Sequence, residues 1–203
     1  MLVKVCGITD REQYNRLDSL GVDMLGLNFF HASPRYVAPG DPLTRLSGRA
    51  SKVGIFVNPC VDRTLATIKA CGLDYVQLHG AESVAFCKQM KKHAGVIKAF
   101  GIDDAFDFAV LNEYASVVDY FLFDTRSSRY GGSGRKFNWQ ILADYHLEVP
   151  FLLSGGIGPG DWPALRAFSH RQWAGIDINS GFETGPGIKD LAAVAAFLEK
   201  MKL

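Results

Sequence analysis

Eight short apolar runs recur along this 203-residue chain, each followed by a stretch with helical spacing. They cover 2–6, 24–29, 53–57, 75–78, 96–100, 117–123, 149–153 and 174–178, with starts 21 to 32 residues apart. The runs are short, β-branched and bounded by Gly, Asp or Pro, which marks strands rather than buried helices. Their hydrophobicity is continuous rather than alternating, as in parallel strands covered on both faces. Between them, Thr9-Asp-Arg-Glu12 reads as a capping box with Thr9 as the cap, and Leu17 and Leu20 share a face before Gly21. Leu65, Ile68 and Cys71 repeat at threes before Gly72, as do Val84, Cys87 and Met90, so Cys71 and Cys87 read as core residues. A last helix over 189–200 places Leu191, Val194, Ala195 and Leu198 on one stripe.

Eight such units predict an α/β fold, a single (β/α)8 TIM barrel over residues 1–203, at the short end of that fold's range. A doubly wound open sheet is the alternative. It lacks its Gly-x-Gly-x-x-Gly after the first strand, and near-even steps suit closure better. Two long excursions, 30–48 and 124–134, are rich in Gly, Pro and Ser and read as loops over an active face.

Composition narrows the function classes. With 48% apolar and 21% charged residues the chain is globular, and 22 basic against 21 acidic side chains leave a net charge of +1. That balance gives no footprint for nucleic acid or an anionic membrane, and no window approaches a membrane span. The four cysteines, Cys6, Cys60, Cys71 and Cys87, form no Cys-x-x-Cys pair, zinc spacing or dense disulfide framework. With no signal peptide apparent after Met1, the expected location is cytoplasmic.

Barrel chemistry gathers where strands run into the following loops. The first run ends at Cys6-Gly7, the fourth at His79-Gly80, the sixth at Asp124-Thr125 and the eighth at Asp177-Ile-Asn-Ser-Gly181. A thiol, an imidazole and two carboxylates therefore share one rim. Ser154-Gly155-Gly156-Ile157 and Asn179-Ser180-Gly181 follow strands seven and eight, where backbone amides build a barrel phosphate site. Cys6 is either a small buried hydrophobe or an acid–base group; as a base its thiol needs a pKa lowered by a cation or helix terminus. Asp124 is either a turn residue paired with Arg126 or Arg129, or a carboxyl kept protonated by partial burial as a general acid.

Lys4-Val-Cys-Gly-Ile-Thr9, Ser33-Pro-Arg-Tyr-Val37, Gly54-Ile-Phe-Val-Asn58 and Val76-Gln-Leu-His-Gly80 resemble phosphoribosylanthranilate isomerases. Phe123-Asp-Thr125, Gly131-Gly-Ser-Gly134, Leu153-Ser-Gly-Gly-Ile157, Asp177-Ile-Asn-Ser-Gly-Phe-Glu183 and Pro186-Gly-Ile-Lys-Asp190 continue the likeness across the chain. The resemblance implies an Amadori rearrangement in tryptophan biosynthesis, taking N-(5-phosphoribosyl)anthranilate to 1-(2-carboxyphenylamino)-1-deoxyribulose 5-phosphate. It implies Asp124 as general acid on the furanose oxygen and Cys6 as general base at C2. It places Arg35 at the anthranilate carboxylate, Asp177 at the sugar hydroxyls, and His79 in the pocket wall. Phosphate falls to the amides of Gly155, Gly156, Asn179, Ser180 and Gly181. Proton transfer needs no metal and no organic cofactor; the implied partner is a small phosphorylated sugar–anthranilate, bound by a monomer or homodimer. Asn138 departs from the family's usual Asp and Asn179 from its usual Ser, and His31 is expected to be an exposed loop residue.

The other enzyme reading is a different phosphosugar barrel. Metal-dependent epimerases need more His and Asp ligands at strand ends than His79 supplies, and a dual-substrate isomerase pairs two aspartates where Cys6 stands. A non-enzymatic barrel would be expected to lack Cys6 or Asp124.

Overall fold

The computed structural model describes residues 1–126 and 136–202. Eight parallel strands close into a barrel in sequence order: β1 (Leu2–Val5), β2 (Met24–Asn28), β3 (Ser51–Phe56), β4 (Tyr75–Leu78), β5 (Gly95–Ile102), β6 (Tyr120–Thr125), β7 (Phe151–Leu153) and β8 (Trp173–Ile178). β8 returns to β1 in register, Lys4 opposite Asp177, and completes the ring. Helices α1 (Arg11–Ser19), α2 (Val61–Cys71), α3 (Val84–Met90), α4 (Trp162–Ala167) and α5 (Leu191–Lys202) surround it. After β8 comes a small antiparallel hairpin, β9 (Glu183–Gly185) and β10 (Ile188–Lys189). Among the described residues, no helix is long and apolar enough to cross a membrane.

Strand alternation sorts the side chains into two cores. Met24, Val53, Ile97, Ala99, Leu122 and Leu152 form an enclosed cluster inside the barrel. Their in-strand neighbours, such as Leu25, Val96, Phe121, Phe123, Leu153 and Ile176, face outward into the larger core beneath the helices. At the amino-terminal rim one device recurs. Asp23, Asp74 and Asp119, each just before an even-numbered strand, accept the amides of Val3, Lys52 and Val96 near the start of the preceding strand, at 2.7, 2.7 and 2.8 Å. Each carboxylate satisfies a donor at the end of the ladder.

Several expectations are corrected. The cap of α1 is Asp10, accepting the Gln13 amide at 2.9 Å, while the Thr9 hydroxyl donates to Gly187. The sixth strand starts at Tyr120 rather than 117, because Asp119 is spent on Val96; the seventh starts at Phe151, after Pro150. The last helix starts at Leu191, since Lys189 belongs to β10, and its buried stripe includes Phe197 beside Val194 and Leu198. Among the described residues, three crossovers carry 3-10 turns rather than α-helices, at Pro42–Arg45, Phe108–Glu113 and Trp139–Asp144. Aromatic rings close the outer face beside two of them. Phe123 lies 5.0 Å from Phe151 and 5.3 Å from Tyr145, and Phe108 lies 5.1 Å from Phe106. Cys71 and Cys87 are core residues, Cys60 is exposed at the start of α2, and all four thiols are free. His31 is exposed, its ring edge-on to Tyr36. The Gly131-Gly-Ser-Gly134 stretch, Arg129 and most of the second excursion lie outside the described residues.

Phe151 has no solvent exposure and touches Phe123, Tyr145 and His170. Phe151→Ala should therefore lose about 3–5 kcal/mol of stability, read from urea unfolding midpoints. A loss under about 1 kcal/mol would show that the aromatic belt is not what holds this side of the barrel.

Candidate active site

The carboxyl ends of the strands open into a cavity of about 610 Å³. Cys6, Arg35, His79, Asp124 and Asp177 all line it, together with the Gly155, Gly156, Asn179, Ser180 and Gly181 loops. The thiol, the imidazole and the two carboxylates picked out at the strand ends thus meet in one place.

Cys6 follows β1 directly and is 6% exposed. β2 supports it through Gly26, where a Cβ would stand 3.0 Å from the Cys6 Cα and 3.1 Å from its Sγ. Burial pushes the Cys6 thiol pKa upward; Lys4 pulls it down, Asp177 reinforces the rise and Lys189 opposes it. A cation of the kind a thiolate base needs is present, yet desolvation by the surrounding protein dominates. Lys4 is wholly buried with its Nζ 2.8 Å from Asp177 Oδ1. Burial opposes its charge, but Asp177 and Cys6 outweigh that and hold the ammonium pKa above its ordinary value.

Asp124 is the last residue but one of β6, with its side chain 17% exposed. Its Oδ1 accepts the Thr125 amide at 2.8 Å, and its Oδ2 faces His79 Nε2 at 3.5 Å. Arg126, a possible partner, pairs with Asp103 instead, at 2.7 Å. Gln77 Nε2 stands 3.1 Å from His79 Nδ1; with Gln77 donating there, the ring proton is on Nε2, toward Asp124. The loop after His79 is pinned by Glu82, which takes the amides of Asn58 and Gly80 and pairs with Lys98 at 3.2 Å.

Across the cavity, the loop after β7 turns at Gly155, whose φ is +91°. A Cβ there would lie 2.6 Å from the Thr125 nitrogen and 3.1 Å from Asp124 Oδ1, so only glycine lets the loop pass this close to β6. The loop after β8 enters a short 3-10 turn, Ser180–Phe182. Residues of both loops line the cavity, Gly-rich and small, a composition suited to a phosphate held by backbone. Asn179 uses its side chain elsewhere, accepting from Lys189 Nζ at 2.7 Å. Asn138 caps the turn over Trp139–Asp144 by accepting the Gln140 amide at 3.1 Å.

Lys4, Gln77, Glu183 and Lys189 are the residues sequence reasoning passed over. Lys4 and Gln77 stand two positions before Cys6 and His79, hence on the same strand face. A lone polar residue inside an apolar strand was the available signal. Glu183 and Lys189 sit in the β9–β10 hairpin, beyond the last barrel strand, where no periodicity pointed to them.

A family model described as N-(5'-phosphoribosyl)anthranilate (PRA) isomerase matches residues 3–200. An N-(5'-phosphoribosyl)anthranilate isomerase of Phocaeicola vulgatus is 44% identical over 203 residues, covering 100% of this chain and 98% of its own. The crystal structure of phosphoribosyl anthranilate isomerase from Thermotoga maritima superposes with a TM-score of 0.87 at 31% identity, covering 100% of this chain and 98% of that one. A phosphoribosyl anthranilate isomerase in complex with reduced 1-(o-carboxyphenylamino)-1-deoxyribulose 5-phosphate gives 0.85 at 29% identity, with the same coverage.

The raised Cys6 thiol has a direct readout. Alkylation by iodoacetamide, followed at Cys6 by peptide mass spectrometry, should show a pH midpoint above the ordinary thiol value of about 8.5. Below that midpoint the thiol is protonated and unreactive, so the rate climbs with rising pH. A midpoint at or below the ordinary value would contradict the dominance of burial.

Proposed function

The chain belongs to the N-(5'-phosphoribosyl)anthranilate isomerase family, and on that premise we propose that Cys6, Asp124 and Arg35 divide its reaction between them. The enzyme converts N-(5'-phosphoribosyl)anthranilate to 1-(2-carboxyphenylamino)-1-deoxyribulose 5-phosphate, an Amadori rearrangement in tryptophan biosynthesis. The observation that carries the division is their common cavity. An acid, a base, a guanidinium and a Gly-rich anion loop all face one space of about 610 Å³.

On this reading the phosphate sits on the amides of Gly155, Gly156, Asn179, Ser180 and Gly181. Arg35, from the loop after β2, takes the aryl carboxylate. Asp177 keeps one oxygen on Lys4 and offers the other to a sugar hydroxyl. Asp124 donates its proton to the furanose oxygen as the C1–O bond breaks, and the anilino nitrogen lone pair forms the C1=N bond. Cys6, as thiolate, removes the C2 proton; that electron pair forms C1=C2 while the C1=N π pair returns to nitrogen, giving the enolamine. A proton then adds at C1 and the C2 hydroxyl loses its own, which leaves the ketone. His79, with its proton on Nε2, steadies the Asp124 carboxylate left after donation. Lys4 and Lys189 stabilise the Cys6 thiolate against the burial that disfavours it. Four free thiols suit a reducing compartment, and the cytoplasm is the location we assign on that ground.

The assay is loss of anthranilate-type fluorescence from freshly made phosphoribosylanthranilate. Cys6→Ser and Asp124→Asn should each slow turnover by about 10²–10⁴-fold, the usual yield of a positioned acid or base. His79→Asn should cost less than Asp124→Asn, since it acts through the carboxylate. Unimpaired turnover in both Cys6→Ser and Asp124→Asn would overturn the assigned roles while leaving the activity.

A further inference from the structure

Arg35 is engaged before any ligand arrives. Its Nε donates to the two Glu183 oxygens at 2.8 and 3.1 Å, and its Nη2 donates to Oε2 at 2.5 Å. That contact uses the side edge of the guanidinium, so the end bearing Nη1 is the part left to receive another carboxylate. The stem is fixed as well. It crosses the backbone at Gly7, where φ is +73° and a Cβ would lie 2.5 Å from the Arg35 Cδ.

Glu183 is 4% exposed and also accepts Lys189 Nζ at 2.5 Å and the Gly187 amide at 3.1 Å. Lys189 has no side-chain exposure, and its ammonium also donates to Asn179 Oδ1 at 2.7 Å. In the hairpin, Lys189 and Glu183 stand opposite each other across β9 and β10. Arg35, Glu183, Lys189 and Asn179 therefore form one hydrogen-bonded relay, running from the loop after β2 to the loop after β8.

The charge of this relay is informative. An Arg35–Glu183 pair alone is neutral and would attract an anion only through its dipole. Lys189 makes two cations against one carboxylate. The neighbouring Lys4–Asp177 pair cancels itself and supplies no extra negative charge. A buried surplus cation is costly unless something compensates it. An anionic ligand in the cavity would do so.

We propose that the β9–β10 hairpin is a positioning device for Arg35. Glu183 sets the orientation of the guanidinium, Lys189 supplies the surplus positive charge, and Asn179 ties both to the anion loop. The proposal rests on the reading that Arg35 receives the aryl carboxylate. It adds that selectivity for an ortho-carboxylate depends on three residues that do not touch that carboxylate. It also holds the carboxylate and phosphate ends at a separation fixed by the relay.

The test measures calorimetric Kd values for two ligands, the reduced carboxyphenylamino product and its phenylamino counterpart without the carboxylate. Wild type should favour the carboxylated ligand by about 10–100-fold, the worth of one charge-assisted contact. Glu183→Gln and Lys189→Gln should each cut this preference to about 3-fold or less, while Kd for the carboxylate-free ligand stays within about 3-fold of wild type. In Glu183→Gln, KM should rise more than kcat falls, and Glu183→Asp should recover part of the preference. Equal weakening of both ligands, or an intact preference in Glu183→Gln and Lys189→Gln, overturns the proposal; if one variant does not fold, the other decides. Arg35→Met separates the two readings. Preference lost there but intact in the hairpin variants sinks the positioning role alone, and preference intact in Arg35→Met sinks the carboxylate assignment itself.

Discussion

A lysine with no solvent exposure inside a barrel can stay charged only with a carboxylate against it, and Lys4 has Asp177 at 2.8 Å. Taking both ions out of water costs several kcal/mol apiece, and an apolar pair of similar size would be no less stable. The pair is better understood by what surrounds it. Lys4 lies two residues before Cys6 on β1, and Asp177 lies two before Asn179 at the end of β8. The ion pair therefore underpins the proposed base on one strand and the anion loop on the other. It is also the point where the sheet closes on itself, so its geometry is shared by the fold and the site.

The barrel interior is layered accordingly. The enclosed cluster of Met24, Val53, Ile97, Ala99, Leu122 and Leu152 is wholly apolar, while the groups toward the carboxyl rim are polar and arranged as pairs. Lys4 pairs with Asp177, Lys98 with Glu82, and Arg35 with Glu183. Each buried charge is thereby answered locally, which the low dielectric requires. The exception is the hairpin relay, where Lys189 adds a second cation to Glu183. Lys52 shows the contrast: buried toward the opposite rim, it donates to the carbonyls of Thr44 and Cys71 at 2.9 and 2.7 Å and ties loops together with no ligand-facing role.

The barrel was legible because a parallel strand leaves a run in the sequence, and each βα unit leaves a step. Cys6, His79, Asp124 and Asp177 were legible because a strand's end is marked by where its apolar run stops. The crossovers were less so, because the rings of Phe106, Phe108 and Tyr145 fill space a helix would otherwise cover, and aromatic packing has no period. Choosing Thr9 over Asp10 as a cap failed for a tertiary reason: the Thr9 hydroxyl is taken by the carbonyl of Gly187, 178 positions away. The Arg35 relay was illegible for the same kind of reason. Its members come from the loop after β2 and from the β9–β10 hairpin, 148 positions apart, and only folding brings them together.

The meeting of β1 and β8 also sets an order of events. Lys4 and Asp177 are separated by 173 positions, so their contact closes nearly the whole chain into a loop. Contacts of such range are the slowest to form, since the entropy of closure must be met before they contribute. Strands β2 to β7 can each pair with a sequence neighbour without it, whereas the pocket floor at Cys6 cannot exist until β8 arrives. A nascent chain that stops short of Asp177 holds most of the barrel's residues but lacks the Lys4 partner and the loop after β8 that complete the cavity. Ligand-binding competence in this fold is therefore a direct report that the ring has shut.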